Sequence, residues 1–317
     1  MKQLIARVFA HEALAAKPPV LLDIGASGFL PDVWKALAPH SICVAFDADD
    51  REFEVKAAES KTWKKLFKLN RLVAPQSSTG IDFYLTRSPY CSSSLQPNTA
   101  ALEAWAFRDL FEVERVVKLP AVDLSSALKQ IGLDRIDWYK SDSQGTDLRI
   151  FKSLPAAFAQ HILAADFEPG VLDGYVGEDK LHHLMAHMET LPFWVSDMDV
   201  KGTQRIDHAV VKAMNFYENR GLQLLQKTSP GWCEIGYINT LVAPGFGVRE
   251  HLLAWLFATL KQQHGFALRV ASTGASRFAQ PLFTELQAHS SSSLALKPAR
   301  LAYVKLRRLA ARVLGRR

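Results

Sequence analysis

Four carboxylates stand at or near the ends of predicted strands, where they could form an active site. They are Asp23, Asp47, Asp142 and Glu168. Each is associated with a short apolar run of the kind that forms buried strands. The carboxyl ends of parallel strands meet at one edge of a sheet, and ligands bind at that edge. Carboxylates placed there could accept hydrogen bonds from hydroxyl groups, take up a proton or bind an ammonium.

A glycine turn follows the first of these strands. The predicted strand 20–24 leads into Gly25, Ala26, Ser27 and Gly28, and a helix is predicted to begin near Pro31. Gly25 and Gly28 allow a tight turn and a close approach of a ligand that any Cβ would block. After the second strand, 42–46, the Asp47 carboxylate is placed to accept hydrogen bonds from both hydroxyls of a ribose. The pattern predicts a nucleoside-binding α/β domain, with a purely structural glycine turn as the alternative.

The composition of the turn argues against a dinucleotide. A dinucleotide site requires G-x-G-x-x-G, but Ser27 occupies the middle glycine position and no third glycine follows at the required spacing. Asp23 beside the turn would repel a phosphate and suits an ammonium. S-adenosylmethionine has an adenosine and an α-ammonium but no phosphate. The turn therefore favours S-adenosylmethionine, with cofactor-binding residues Asp23, Gly25, Ala26, Ser27, Gly28 and Asp47.

The composition is that of an ordinary globular protein. The chain has 317 residues, of which 48% are hydrophobic. Its three cysteines are scattered and odd in number, which indicates neither a disulfide framework nor a paired-cysteine metal site. Neither a signal peptide nor a membrane span is predicted, so a cytoplasmic location is expected.

The net charge of +6 is concentrated in the C-terminal tail. Residues 297–317 contain eight Lys or Arg and no acid, whereas the rest of the chain carries 30 of the 38 basic residues and all 32 acidic ones. This distribution argues against nucleic acid as a partner of the body. With helical spacing, residues 300–317 place apolar side chains on one face and basic ones opposite, which predicts peripheral contact with an anionic membrane, at its inner face. A helix packed on the body or a solvated tail is the alternative.

Strand and helix patterns alternate along most of the chain. Strands are predicted at 20–24, 42–46, 69–74, 81–86, 113–119, 136–142, 162–167, 193–195 and 235–242. Helices are predicted at 2–16, 49–67, 124–131, 148–154, 180–191 and 249–263. The alternation predicts an α/β fold with a doubly wound, mainly parallel sheet and a C-terminal helical extension, divided into domains at 1–245 and 246–317. A polar break at 290–293 is interpreted as a linker, and Asp123 as the N-cap of its helix.

Five stretches of the chain resemble the FkbM-type family of S-adenosylmethionine-dependent methyltransferases. They are LLDIGASG (21–28), FDAD (46–49), CSSSLQPN (91–98), VDLSSAL (122–128) and IDWYKSDSQGTDLRIFKSL (136–154). The last is similar to the family pattern I-D-x-x-K-x-D-x-Q-G-x-E-x-x-x-L-x-G and departs from it at Asp147, Phe151 and Ser153. The resemblance covers about residues 18–200.

The resemblance implies a Rossmann-like class I methyltransferase fold and methyl transfer to a hydroxyl of a glycan or related secondary metabolite. By position, the residues of the glycine turn would bind the methionine end and Asp47 the ribose. Asp142 would face the transferred methyl group as a general base or as an orienter of the acceptor hydroxyl; a helix-capping role is the alternative. Glu168 is a second catalytic candidate, with a structural role as the alternative. Candidate substrate-binding residues are Ser93, Ser94 and Gln144.

Two other functional classes remain open. One is a degenerate methyltransferase-fold protein that binds ligand and acts as a scaffold in glycan assembly. The other is a nucleotide-sugar or NAD-dependent enzyme on the same scaffold. A divalent metal could bind between Asp142 and Glu168, although nothing in the sequence requires it, and no metal site is predicted.

Overall fold

The computed structural model describes residues 1–26, 30–48 and 62–295, together with residues 305 and 306. The chain divides into two compact units, Met1–Ala254 and Trp255–Arg317. In the described residues no helix is long and apolar enough to cross a membrane.

The first unit is built on a seven-stranded sheet. The strands of the described chain are β1 Val20–Ile24, β2 Ile42–Phe46, β3 Lys65–Leu69, β4 Leu72–Val73, β5 Ser78–Thr86, β6 Val113–Val122, β7 Trp138–Ser141, β8 Ala164–Phe167, β9 Phe193–Thr203 and β10 Ser229–Asn239. The large sheet has the order β3-β2-β1-β7-β8-β10-β9, and a smaller sheet has the order β4-β6-β5. Neighbours from β3 to β8 are parallel, whereas β10 is antiparallel to both β8 and β9. The predicted α/β fold with a mainly parallel sheet is confirmed.

Helices connect and flank these strands. They are α1 Lys2–Ala10, α2 Glu12–Ala16, α3 Thr99–Leu102, α4 Leu124–Gln130, α5 Asp147–Lys152, α6 Ala156–Ala159, α7 Leu181–Met188, α8 His208–Ala213, α9 Phe216–Leu225, α10 Val248–Leu260, α11 His264–Phe278 and α12 Pro281–Leu294. The predicted cap of α4 is confirmed, because the Asp123 carboxylate accepts a hydrogen bond from the Ser126 backbone N–H at 2.9 Å.

The central strands are apolar because both faces of the sheet are covered. All five residues of β1 are buried, and β1 pairs with β2 on one side and β7 on the other. Beside β7, the rings of Tyr139, Phe151 and Phe167 pack with centroids 5.1 to 5.4 Å apart. This core fixes the strand ends that carry the candidate site.

The prediction of an α-helix that begins near Pro31 is wrong. Residues 31–40 instead form two 3₁₀ turns, Asp32–Trp34 and Ala38–His40. Pro39 lies within the second turn and has no N–H to continue an α-helical ladder. The helix predicted over 2–16 is likewise divided, because His11 adopts an extended conformation between α1 and α2.

The predictions between the second and third strands also need correction. Residues 65–67, expected to end a helix, belong to β3, where Phe67 pairs with Val44 of β2. Residues 72 and 73, expected in the third strand of the main sheet, form β4 of the smaller sheet instead. Pairing along the free edge of β2 outweighs the helical spacing of Trp63 and Phe67. The predicted helical residues 49–61 lie outside the described residues.

In the second unit, the linker predicted at 290–293 is wrong. These residues lie inside α12, where the buried Ser290 hydroxyl accepts a hydrogen bond from the Trp255 indole N–H at 2.9 Å. The hydroxyls of Ser292 and Ser293 donate to the His289 carbonyl, which makes serine compatible with the helix. Of the predicted amphipathic tail, 300–317, only residues 305 and 306 are described.

Candidate functional site

Two clefts open at the carboxyl edge of the main sheet, and they share three lining residues. The turn cleft, about 780 Å³ including space open to solvent, is lined by Gly25, Asp47 and the apolar side chains of Val73 and Phe83. The aromatic cleft is about 1040 Å³ on the same measure, and its aromatic wall is formed by Tyr90, Phe107, Phe111, Tyr175 and Trp232. The residues common to both are Tyr90, Asp142 and Gln144.

The glycine turn brings the end of β1 against the loop after β7. Gly25 has φ +77°, and a Cβ at this position would lie 2.0 Å from the Asp142 carbonyl oxygen. The Asp142 N–H donates to the Ile24 carbonyl at 2.9 Å, and the Gly25 and Ala26 N–H groups donate to the Phe46 carbonyl at 2.9 and 3.0 Å. Only a glycine permits this approach of the two loops.

Two other residues predicted for the turn, Ser27 and Gly28, lie outside the described residues. Ala26 is buried and packs with Cys43 and Ala45. The cofactor-binding prediction for this turn therefore rests, in the described structure, on Gly25 and its neighbours.

Asp23 is buried at the end of β1 and pairs with a lysine. The Lys140 ammonium donates to Asp23 Oδ1 at 2.7 Å, and Asp23 is not among the residues that line either cleft. Burial alone would lower the pKa of Lys140, but the carboxylates of Asp23 and Asp142 outweigh it and raise that pKa. Lys140 therefore remains charged and neutralises the negative charge beside the turn.

Asp142 is positioned by a chain of side-chain hydrogen bonds. The Gln144 side-chain N–H donates to Asp142 Oδ1 at 2.5 Å. The Tyr175 hydroxyl, which keeps its proton because burial raises its pKa, lies 2.9 Å from Gln144 Oε1 and 2.8 Å from the Cys91 carbonyl, so its single proton is shared between these two acceptors. Gln144 adopts φ 53°, and its carbonyl accepts a hydrogen bond from the Ser93 hydroxyl at 2.7 Å. The Asp142 carboxylate is thus held at the point where the clefts meet.

The Asp147 side chain supports the loop that carries Asp142. Asp147 is buried and accepts hydrogen bonds from the Ser141 hydroxyl at 2.5 Å and the Ser143 N–H at 3.1 Å. Burial raises the pKa of Asp147 to about 6, against the lowering effect of the Ser141 hydrogen bond. The N-cap position of α5 is Thr146, so Asp142 does not have the capping role considered as its alternative.

Two carboxyl groups of the aromatic cleft, those of Asp142 and Glu168, have raised pKa values. Burial raises the pKa of Asp142, although Lys140 and the Gln144 hydrogen bond oppose the rise. Burial, together with the neighbouring charge of Asp142, raises the pKa of Glu168 to about 9. Glu168 therefore carries a proton near neutral pH and can donate a hydrogen bond into the cleft.

Of the remaining candidate residues, some line the clefts and others do not. Asp47 lies directly after β2 and lines the turn cleft, as the sequence predicted. Ser93 and Ser94 are not among the lining residues of either cleft; Ser93 is buried and its hydroxyl orients the Gln144 loop. The neighbouring Ser92 lines the turn cleft instead.

Sequence reasoning missed the wall of the aromatic cleft. Phe107 and Trp232 are separated by 125 positions but stack with centroids 6.1 Å apart. Tyr175 lacks any local motif, and its role follows only from its contact with Gln144. Lys140 lies within 136–154, the longest of the five stretches that carry the resemblance, which was the one indication of its importance in the sequence. In the described residues no group of three or more His, Cys, Asp or Glu is arranged to hold a metal ion.

Comparisons of the chain with protein-family models, with curated proteins and with solved structures gave no match. Functional inference therefore depends on the residues and the geometry of the two clefts.

Proposed function

We propose that the protein is an S-adenosylmethionine-dependent O-methyltransferase acting on a hydroxyl of a glycan or related secondary metabolite. The observation that carries the proposal is the meeting of the turn cleft and the aromatic cleft at Asp142. A cofactor in the first cleft and an acceptor in the second would approach each other at this carboxylate. When bound, S-adenosylmethionine supplies an electrophilic methyl group.

The turn cleft suits an adenosine. Asp47 can accept hydrogen bonds from the two ribose hydroxyls, while Phe46, Val73 and Phe83 offer an apolar surface to adenine. Gly25 lines the same cleft on the side of β1, next to Asp142. A nucleoside that enters with its ribose at Asp47 would therefore direct its 5′ substituent toward the shared residues.

The aromatic cleft suits a hydroxylated acceptor without phosphate. Sugar rings present apolar faces that pack on aromatic side chains, and their hydroxyls pair with carboxyl groups. Asp142, Glu168 and Glu178 line this cleft, and among the described lining residues there is no Lys, Arg or His. No basic side chain is present among those residues to bind a phosphate, so the acceptor is expected to carry none where it enters the cleft.

Asp142 is the residue best placed to handle the acceptor hydroxyl. Its carboxylate can accept the hydrogen bond of that hydroxyl and take its proton as the new bond to carbon forms. Gln144 and Tyr175 fix its orientation, and Lys140 stabilises its charged form. Glu168, which is protonated near neutral pH, would orient the acceptor by donating a hydrogen bond rather than act as the base.

A nucleotide-sugar or NAD-dependent enzyme is the second candidate, and one observation favours it. Arg71 lines the turn cleft together with Asp47, where a guanidinium could bind a phosphate. In addition, Lys140 neutralises Asp23, which weakens the repulsion of phosphate that the sequence suggested. The missing G-x-G-x-x-G still counts against this class. A methyltransferase-fold protein that has lost activity and serves as a scaffold is less consistent with the hydrogen-bonded series of side chains Tyr175, Gln144 and Asp142.

Calorimetry with S-adenosylhomocysteine and with NAD separates these candidates. Binding of the first and not the second is expected for the wild type. Asp47→Ala should weaken S-adenosylhomocysteine at least tenfold, since charge-assisted hydrogen bonds contribute about 1.5–3 kcal/mol each and about 1.4 kcal/mol is a factor of ten.

Asp82→Ala is the matched control. Asp82 is half exposed on β5, pairs with Lys118 at 3.0 Å and is not among the lining residues of either cleft. It should leave ligand affinity unchanged, and both variants should keep the wild-type melting temperature. Tight NAD binding, or an Asp47→Ala variant with normal affinity for S-adenosylhomocysteine, would contradict the proposal.

A further inference from the structure

The segment between β9 and β10 carries an exposed apolar surface that the candidate site does not use. It contains α8 and α9, and α9 has no buried residue. Four large apolar side chains of α9 are mostly exposed: Phe216 77%, Tyr217 83%, Leu224 65% and Leu225 83%. We call these four residues the α9 patch.

Local interactions define this helix, but packing contributes little to it. Asn215 and Glu218 form a capping box that starts α9. Contacts with the preceding chain include long hydrogen bonds from the buried Gln204 side chain to the Leu222 and Gln226 carbonyls, at 3.4 and 3.5 Å. A ten-residue helix with no buried residue is marginal in water. The α9 patch is therefore expected to be covered in the functional state.

The charges around the patch indicate what covers it. Residues 204–228 include Arg205, Lys212, Arg220 and Lys227 but only two acids, Asp207 and Glu218. Arg220 lies one helical turn from both Phe216 and Leu224, so a cation lies beside two of the exposed apolar side chains. Aromatic and leucine side chains interleaved with basic ones are typical of segments that lie in the interface of an anionic bilayer.

A second copy of the chain fits the patch less well. Stable protein interfaces bury roughly 800 Å² and about 20–30 residues on each side. The α9 patch offers four side chains on one short helix, which is small for a dimer and sufficient for shallow insertion between lipid headgroups. The basic residues after 297 would be attracted to the same kind of surface.

The patch lies on a segment attached to the rim of the aromatic cleft. The Ala106 N–H donates to the Gln204 carbonyl at 3.1 Å, and the His208 N–H donates to the Glu103 carbonyl at 2.8 Å. The intervening chain 103–111 carries Phe107 and Phe111 of the aromatic cleft. We infer that the α9 patch docks on an anionic lipid surface and holds the mouth of the aromatic cleft close to it. The docking itself does not depend on the proposed methyl transfer.

An environment-sensitive dye placed on the patch tests this directly in the full-length chain. The native cysteines Cys43, Cys91 and Cys233 are all buried, so a thiol dye can be directed to an introduced cysteine. With a nitrobenzoxadiazole label at Leu224→Cys, we expect a blue shift and brighter emission on adding vesicles of equal parts phosphatidylglycerol and phosphatidylcholine. Phosphatidylcholine vesicles, or high salt, should give little change.

The same label at Val116→Cys is the control, because Val116 is 49% exposed on β6, in the smaller sheet. It should not respond to either vesicle. An unchanged spectrum at position 224 with anionic vesicles would overturn the proposal, whether or not the chain pellets with them. A blue shift at 224 that appears without vesicles and grows with protein concentration would overturn it in favour of a second copy.

Co-sedimentation gives an independent measure. The double variant Phe216→Ser with Leu225→Ser should lower partition into anionic vesicles by about tenfold. Val113→Ser with Val116→Ser, which removes exposed apolar side chains from β6, should not. Equal partition of the two double variants would show that the α9 patch makes no contact with lipid.

Discussion

At the level of single residues, the site is organised around Asp142 and the groups that set its charge. Burial raises the pKa of this carboxyl, whereas Lys140 and the Gln144 hydrogen bond lower it. Lys140 is in turn bound to Asp23, so an ammonium is shared between the ends of β1 and β7. The Lys140 ammonium therefore compensates the charge of the Asp142 carboxylate when that group is ionised.

Asp142→Asn tests the chemical role of this residue. The amide oxygen of Asn keeps the hydrogen bond from Gln144 but cannot take a proton, so methyl transfer should fall by about 10²-fold or more. Affinity for S-adenosylhomocysteine should stay near normal in calorimetry. Full turnover in the Asn variant would exclude both a base and an orienting charge at this position.

Glu168 should make the stability of the protein fall as pH rises. Its pKa is raised from the ordinary 4.5 to about 9 by burial and by the charge of Asp142. Between these two values the folded state holds a proton that the unfolded state releases, so stability is full below about pH 4.5 and is lost toward pH 9. Glu168→Gln, which cannot ionise, should match the wild type at pH 5 and exceed it in melting temperature at pH 9.

Glu112→Gln is a suitable comparison because the Glu112 side chain is 56% exposed in a loose pair with Arg87. It should leave the pH dependence of melting unchanged. Parallel pH profiles for wild type and Glu168→Gln would mean that Glu168 ionises normally in the folded protein.

At the level of elements, the two loops after β1 and β7 behave as one unit. They are joined by the Asp142 N–H to Ile24 carbonyl hydrogen bond and by the close approach at Gly25. Because β1 and β7 are parallel neighbours, both loops leave the sheet at the same edge. A change in one loop therefore displaces the other and, with it, the carboxylate of Asp142.

Two glycines with similar backbone angles distinguish two costs of adding a Cβ. One is the strain of a left-handed backbone, and the other is a clash between the two loops. Gly25 and Gly132 have φ +77° and +74°, but a Cβ at 132 meets nothing within 4 Å. Gly132→Ala should cost about 1–2 kcal/mol of unfolding free energy from the left-handed backbone alone. Gly25→Ala should cost about 3 kcal/mol or more, since the Asp142 carbonyl must also move.

Urea denaturation measures both changes. Equal losses for the two variants would show that the loops separate easily and that Gly25 is not needed for their contact. If the proposed function is correct, Gly25→Ala should also bind S-adenosylhomocysteine more weakly, whereas Gly132→Ala should bind it with wild-type affinity.

At the level of the whole first unit, a buried ion pair stabilises the amino ends of the central strands, opposite the edge that carries the clefts. The Asp137 carboxylate, just before β7, accepts hydrogen bonds from Arg249 Nη1 and Nη2 at 2.8 and 2.7 Å. The same carboxylate accepts from the Val20 N–H at 2.8 Å. Residues far apart in sequence, at the starts of β1 and β7 and on α10, are thus held together beneath the site.

Arg249→Leu should destabilise the chain by about 3–5 kcal/mol, because the buried Asp137 carboxylate loses both guanidinium hydrogen bonds and keeps, besides the Val20 N–H, a looser contact with Arg135 at 3.7 Å. Arg87→Leu, in the exposed pair with Glu112, should cost under about 1 kcal/mol. Denaturant unfolding of the two variants supplies the comparison. A small loss for Arg249→Leu would mean that water or a neighbouring group replaces the guanidinium.

Local features of the sequence were enough to place much of the framework. The apolar runs of β1 and β2 were predicted with their observed bounds, and Asp123 was identified as the cap of α4. These predictions succeed because strand burial and helix capping depend on residues close together in the chain. Asp47 and Asp142 were placed at strand ends for the same reason.

Only the tertiary structure decided how these parts combine. It assigned 65–69 to a strand because the edge of β2 was free to pair, and it engaged Ser93 in loop support instead of the cleft lining. It also paired Asp23 with Lys140, 117 positions away, and built the aromatic cleft from separate segments such as those of Phe107 and Trp232. Such contacts arise from packing between elements distant in sequence, and no local periodicity, cap or motif encodes which of the available partners will meet.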